Sequence, residues 1–323
     1  GALLAAEEAN LRGGIQGRSV ELLIRNIALD KAEIRQTIAE LAAAEVAAVV
    51  GPATSASGLV IVPEINRLQL PTISPTASTG LLAERDDFFF RIIPVSKGGG
   101  VKTAEFAYKK KGLRNLVVVY DQGNKGYTEP LYEVLKQRFE SFAEGRVQGI
   151  GYDSTSGYDF LGLARTIMHH DMDGLVILAS GIDTALICQQ LAKLRVKKPI
   201  FSCEWALTDE LIEFGGQAVE GVELFHSFDR NSEVDSYREF NLRFQQRFGY
   251  SANFAAAYGY NAMNVLLQEL MGNPSLSPQQ LKVNILKGSP YEGLQSEIRF
   301  DKYGDAEREY SLQTIRNGRV VTI

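Results

Sequence analysis

Short runs of β-branched and aliphatic residues alternate with stretches of helical length and spacing along most of this chain, and that alternation constrains the fold more than any other feature. The apolar runs lie at residues 20–24, 46–50, 116–120, 174–178 and 199–202. The stretches with helical character lie at 31–44, 57–67, 100–111, 128–142, 158–169 and 184–194. A strand that is apolar throughout has both faces buried, and a helix between two such strands carries the chain back for parallel pairing. The fold class is therefore α/β, with parallel sheets covered by helices. A chain of 323 residues exceeds the size at which one core keeps growing, so two lobes are expected.

Composition narrows the function classes. A 45% hydrophobic and 23% charged chain with no long apolar run is ordinary for a folded domain and offers no segment that would insert in a membrane. A net charge of -5 argues against a nucleic-acid surface, which needs a concentrated basic patch. The one dense basic cluster, Lys109-Lys110-Lys111 with Arg114, sits at the end of an expected helix, where cations complement the dipole. Two cysteines, Cys188 and Cys203, supply neither a disulfide framework nor metal-ligand spacing, so no metal or cofactor is expected. Residues 1–14 read as a helix stopped by Gly13-Gly14. A chain that opens inside a helix leads to the expectation of a preceding segment, any signal peptide included.

Catalytic patterns are missing. The three histidines are His169 and His170, beside Asp171 and Asp173, and His226, placed by the pattern in a crossing between lobes. No Gly-x-Ser-x-Gly elbow, His-Glu-x-x-His pair or Gly-x-Gly-x-x-Gly loop accompanies them. Lys97-Gly98-Gly99-Gly100 lacks the order of a phosphate loop and reads as hinge freedom before a helix. No catalytic residue is assigned.

Open parallel sheets bind ligands at the carboxyl ends of their strands. Three loops at such ends stand out: 51–57, rich in hydroxyls; 74–79, Ser-Pro-Thr-Ala-Ser-Thr; and 202–205, Ser-Cys-Glu-Trp. The first two place small hydroxyl side chains at an expected helix N-terminus, where free N–H groups and the dipole favour a carboxylate. Each is also readable as an ordinary helix cap. Together with Glu204 they form a donor-rich site facing an acid, which suits an amino acid's carboxylate and ammonium.

The run VAAVVGPATSASGLVIVPEINRLQLPTISPTAS resembles the signature of the periplasmic leucine/isoleucine/valine-binding protein family, the type I solute-binding fold. The resemblance continues through FFFRIIPVSKGGG, NLVVVYDQGNKGY, DGLVILASG, KKPIFSCEWA, GGQAVEGVEL and EIRFDKYGDAEREYSLQTIRNGRVV, and so covers nearly the whole chain. It implies two doubly wound lobes joined by three crossings: 1–95 with 230–303, and 96–229 with 304–323. The resemblance also leads to the expectation of a first strand ahead of residue 1, which this sequence does not include. The implied function is capture of a small amino acid-like ligand outside the cytoplasmic membrane for an ABC transporter permease. A sensing domain of the same fold, or a binder of aromatic or other small carboxylates, is the alternative.

By resemblance, Ser55 holds the ligand carboxylate, Thr76 and Ser78, flanking Ala77, contact carboxylate and ammonium, and Glu204 pairs with the ammonium from the opposite lobe. Lys125 stands where the branched-chain binders have a tyrosine, and Gly181 or Ile182 where they have another, so an aliphatic ligand is not implied. Lys125 either meets a distal acceptor on the ligand or is a solvated loop lysine. Tyr127 and Trp205 either pack on a ligand or belong to the lobe core, and one of Tyr258 and Tyr260 is expected to face the cleft.

Overall fold

In a computed structural model that describes residues 1–27 and 30–323, the chain opens with helix α1 (Ala2–Leu11), which buries Leu4, Ala5, Ala6 and Ala9. Residues 20–24, expected as a strand, form none. Their side chains line a cavity of about 490 Å³ together with residues 46–50 and Leu266. β-rich composition yields a strand only where a neighbouring edge takes up its hydrogen bonds, and this segment pairs with none. Helix α2 (Lys31–Ala43) is capped by Asp30, which accepts from the N–H groups of Ala32 and Glu33. Strand β1 (Val49–Val50) is the only paired part of the run 46–50. Helix α3 (Ser55–Leu68) follows, then β2 (Thr72–Ser74) and β3 (Phe89–Arg91), in a three-stranded parallel sheet of order β1-β2-β3.

Helix α4 (Lys97–Lys109) begins at Lys97, so the glycine run lies inside a helix and is no hinge loop. What the glycines permit is close packing: a Cβ on Gly98 would stand 2.9 Å from the Tyr310 ring. Next come β4 (Asn115–Asp121), α5 (Lys125–Glu140), β5 (Arg146–Tyr152), α6 (Phe160–Met168), β6 (Gly174–Leu178), α7 (Gly181–Lys193), β7 (Ile200–Ser202), α8 (Asp209–Gly215) and β8 (Glu223–His226). His226 therefore ends a strand and is wholly buried, where a crossing was expected. The chain continues through α9 (Asp235–Phe248), α10 (Phe254–Gly272), α11 (Pro278–Gly288), an antiparallel pair β9 (Arg299–Phe300) and β10 (Ala306–Glu307), and finally β11 (Ser311–Arg316) and β12 (Arg319–Thr322).

The large sheet has the order β12-β11-β8-β7-β6-β4-β5, parallel from β8 to β5 with β11 and β12 antiparallel at one edge. Alternate residues of β4 and β6 enter different cores. Val117, Val119, Leu175 and Ile177 pack with α6 and α7 residues such as Ile167 and Ile187, whereas Leu116, Val118, Val176 and Leu178 pack with Ala104, Leu131 and Leu135. Helices on both faces are thus the physical reason the runs lack polar alternation.

Contacts divide the chain into two compact units, Gly1–Val95 with Ser232–Arg308 and Ser96–Asn231 with Glu309–Ile323. The last boundary falls later than the expected 303 because the β9–β10 pair and Arg308 belong to the first unit. Arg308 donates to the Ile92 carbonyl at 3.0 Å and lies over the Tyr258 ring at 4.9 Å. Among the described residues no helix is long and apolar enough to cross a membrane.

Candidate functional site

In the first unit the carboxyl ends of β1 and β2 bring loops 51–55 and 74–79 together. Thr54 caps α3, its hydroxyl accepting from the Ser57 N–H at 3.2 Å. That leaves the Ser55 and Ala56 N–H groups at the first turn without an intramolecular partner among the described residues. Ser55, 3% exposed, accepts at Oγ from the Thr79 N–H at 3.2 Å, so its own hydroxyl proton stays available. The Ser74 hydroxyl donates to the Pro52 carbonyl at 2.7 Å and accepts from the Ala77 N–H at 2.9 Å. These bonds make one rigid element of the two loops.

Thr76 donates its hydroxyl to the Ala53 carbonyl at 2.6 Å. Its side chain therefore stitches loop to loop and leaves the backbone as its contribution to a ligand. Ser78 is buried, and its hydroxyl meets no partner among the described residues. Loop 74–79 leads into a three-residue turn at Gly80–Leu82 capped by Thr79, where an α-helix was expected. A helix dipole suited to an anion is accordingly offered by α3 and not by loop 74–79. Free N–H groups, the Ser55 hydroxyl and the Ser78 hydroxyl suit a carboxylate.

Behind this loop lies a residue the sequence reading passed over. Arg91, at the end of β3 and wholly buried, donates from Nη1 to the carbonyls of Thr79 at 2.8 Å and Ala77 at 3.3 Å. Its Nε forms an ion pair with Asp305 Oδ1 at 2.6 Å. Burial pushes the guanidinium pKa down, and the Asp305 carboxylate opposes that shift. An arginine in the otherwise apolar run FFFRII was the available signal.

In the second unit Glu204 opens a short turn at the carboxyl end of β7 and is 5% exposed. Its Oε1 accepts from the Ser227 hydroxyl at 2.6 Å and the Ser227 N–H at 3.0 Å. Ser227, just past β8, thus holds the carboxylate in place, a role that the sequence reading missed. His226 Nδ1 lies 3.5 Å from the same oxygen, but that nitrogen accepts the Phe228 N–H at 2.9 Å. Burial lowers the His226 pKa to about 3, so the ring is neutral at pH 7 and this contact is no ion pair. Trp205 meets Tyr127 edge to face at 6.0 Å, and both pack on the second unit's core.

The remaining expected positions divide. Lys125 is the first residue of α5, exposed, with no hydrogen bond or ion pair among the described residues. Gly181 opens α7 under the loop at 206–208: a Cβ there would stand 2.2 Å from Thr208 Oγ1 and 2.9 Å from the Ala206 carbonyl. Tyr260 donates to Glu8 at 2.6 Å and so faces α1, while Tyr258 is 1% exposed beneath Arg308. Three loops of this unit are also linked by acids. Asp121 accepts from Gly123 N–H and from Ser154, and Asp183, its pKa raised by burial, accepts from Tyr152 at 2.7 Å.

A family model described as periplasmic binding protein matches residues 1–319. No curated protein sequence matches the chain. Among solved structures, leucine-binding protein LivK from Thermotoga maritima aligns over all of this chain and 92% of its own, with 24% identity and a TM-score of 0.89. The branched-chain amino acid substrate-binding protein LivJ from Streptococcus pneumoniae, in complex with isoleucine, aligns over all of this chain and 93% of its own, with 21% identity and a TM-score of 0.85. A solute-binding protein of an ABC transporter from Rhodopseudomonas palustris, in complex with benzoate, aligns over all of this chain and 90% of its own, with 18% identity and a TM-score of 0.87.

Proposed function

Because the chain belongs to the periplasmic binding protein family, we propose that it captures a small amino acid-like ligand outside the cytoplasmic membrane and delivers it to an ABC transporter permease. The observation that carries this reading is the anion cradle of the first unit: the unpaired N–H groups of Ser55 and Ala56, the available Ser55 hydroxyl and the unpartnered Ser78 hydroxyl. The ligand carboxylate is held there, and Glu204 of the second unit takes the ammonium. Burying an ammonium without a counter-charge is costly, which is why an acid belongs in such a site. The ligand is held without covalent bond or metal, and no residue is assigned to catalysis.

One observation favours a second reading. Glu204 Oε1 already accepts two hydrogen bonds from Ser227, so its charge is partly satisfied without an ammonium. With Trp205 and Tyr127 adjacent, a benzoate-like or other small carboxylate is the other candidate, consistent with what the Rhodopseudomonas palustris protein binds.

A thermal-shift panel of the twenty amino acids, benzoate and simple aliphatic carboxylates tests both, since a ligand bound only by the native state stabilises it by RT ln(1 + [L]/Kd). A shift for one or more α-amino acids is expected. A shift confined to carboxylates lacking an ammonium would replace the first reading by the second, and no shift across the panel would sink both.

A further inference from the structure

Resting on the carboxylate reading above, we propose that Arg91 is a positioning residue for the ligand site, acting through the loop that it grips rather than by touching ligand. Its Nη1 holds the carbonyls of Ala77 and Thr79, the residues on either side of Ser78. A trans peptide is planar, with its C=O and N–H pointing in opposite directions. Drawing the Ala77 carbonyl onto Arg91 therefore turns the Ser78 N–H away from Arg91, and drawing the Thr79 carbonyl does the same for the Gly80 N–H. The Thr79 N–H between them is spent on Ser55 Oγ. The clamp thus fixes which backbone donors of the loop are internal and which are left for an anion.

Stability alone explains this arrangement poorly. A buried arginine–carboxylate pair is often matched or bettered by apolar residues of similar volume. Here the pair is also incompletely satisfied, because Arg91 Nε and Nη2 are both buried with no hydrogen-bond partner among the described residues. Directional hold is what an apolar side chain would not supply: two bonds to loop carbonyls from one planar guanidinium, beside an Asp305 carboxylate whose Oδ1 lies 2.6 Å from Nε and whose Oδ2 accepts the Glu84 N–H at 2.9 Å. The Arg91 N–H also donates to the Gly304 carbonyl at 3.1 Å, tying the strand end to the Asp305 segment.

The test separates position from stability with Arg91→Met, which strands Asp305, and Arg91→Met/Asp305→Leu, which removes both charges. Arg91→Met is expected to melt lower than the parent, and the double variant to recover most of that loss. In the double variant, amide hydrogen exchange of the ligand-free protein should still be at least tenfold faster at Ala77 and Thr79, whose N–H groups are bonded to Ser74 and Ser55, while the core strand β4 exchanges as in the parent. Affinity for the tightest binder in the panel of amino acids and benzoate should fall tenfold or more in the double variant. Parent-like exchange at Ala77 and Thr79, or parent-like affinity in the double variant, would overturn the positioning role. Ser55→Ala serves as the control: if it leaves affinity unchanged, the carboxylate reading itself fails, whereas the ligand-free exchange still decides the matter for Arg91.

Discussion

Glu204 distinguishes the two ligand readings because its carboxylate is one residue's answer to one ligand group. If the ligand carries an ammonium, Glu204→Gln is expected to weaken it by roughly 2–5 kcal/mol, the usual consequence of breaking a desolvated charge pair. A des-amino analogue should bind the variant about as well as the parent, and calorimetry with both ligands reads the difference. Equal, small losses would mean that Glu204 serves only its bonds to Ser227. Ser55→Ala removes the hydroxyl donor of the first-unit cradle and should weaken any carboxylate by about 1.5–3 kcal/mol, the range for hydrogen bonds to charged groups. His226 supplies a pH dependence. Burial holds its pKa at about 3 in the folded chain against 6.5 ordinarily. Between those values the unfolded chain binds more protons, so the stability tied to this ring is intact above about pH 6.5 and is lost as pH falls. Melting temperature should therefore drop from pH 7 to pH 4, and drop less in His226→Asn, whose amide oxygen can still accept the Phe228 N–H. An unchanged pH profile in the variant would assign the drop to other groups.

At the scale of elements, the sequence reading was accurate where burial on both faces writes a continuous apolar run and failed where it does not. The run 174–178 is β6 to the residue, and 116–120 is β4 less its polar ends. The partly exposed edge strand β5, Arg-Val-Gln-Gly-Ile-Gly-Tyr, has polar residues and glycines that hide it, and β11 (Ser-Leu-Gln-Thr-Ile-Arg) and β12 (Arg-Val-Val-Thr) mix polar residues into short apolar runs. The run 20–24 had the composition of a strand without a partner to complete one. Candidate site residues at strand ends, Ser55 and Glu204, could be proposed by pattern and resemblance. Arg91 and Ser227 could not, because their roles depend on which loops and strand ends meet in space. Gly181 reads differently at this scale: it stands where a tyrosine was the comparison, and the approach of residues 206–208 leaves no room for any side chain. Gly181→Ala is expected to displace that turn, with Glu204 on it, and to destabilise by roughly 1–3 kcal/mol as overpacked sites do. Unfolding in denaturant measures this; a neutral result would mean that the turn shifts freely.

For the whole molecule the decisive feature is that neither unit is continuous in sequence: each is assembled from both halves of the chain, which passes between them at 95–96, 231–232 and 308–309. Three crossings restrict relative motion of two bodies more than one linker would, favouring rotation about a common axis over free tumbling. A ligand selects whichever arrangement of the units it contacts most, and it shifts that equilibrium only by its difference in affinity between arrangements. A carboxylate held by the first unit alone would bind every arrangement equally and shift nothing. If, as proposed, an ammonium is held at the same time by Glu204 of the second unit, the affinities become unequal, and saturating amino acid should reduce the radius of gyration measured by solution scattering. Glu204→Gln should lessen that reduction even at ligand concentrations that saturate the variant, because the contact coupling the second unit to the ligand is weakened. Scattering curves that superimpose with and without ligand in the parent would show that binding involves one unit only. A full reduction in the saturated variant would shift the coupling role from Glu204 to other contacts of the second unit, with Trp205 the first to replace.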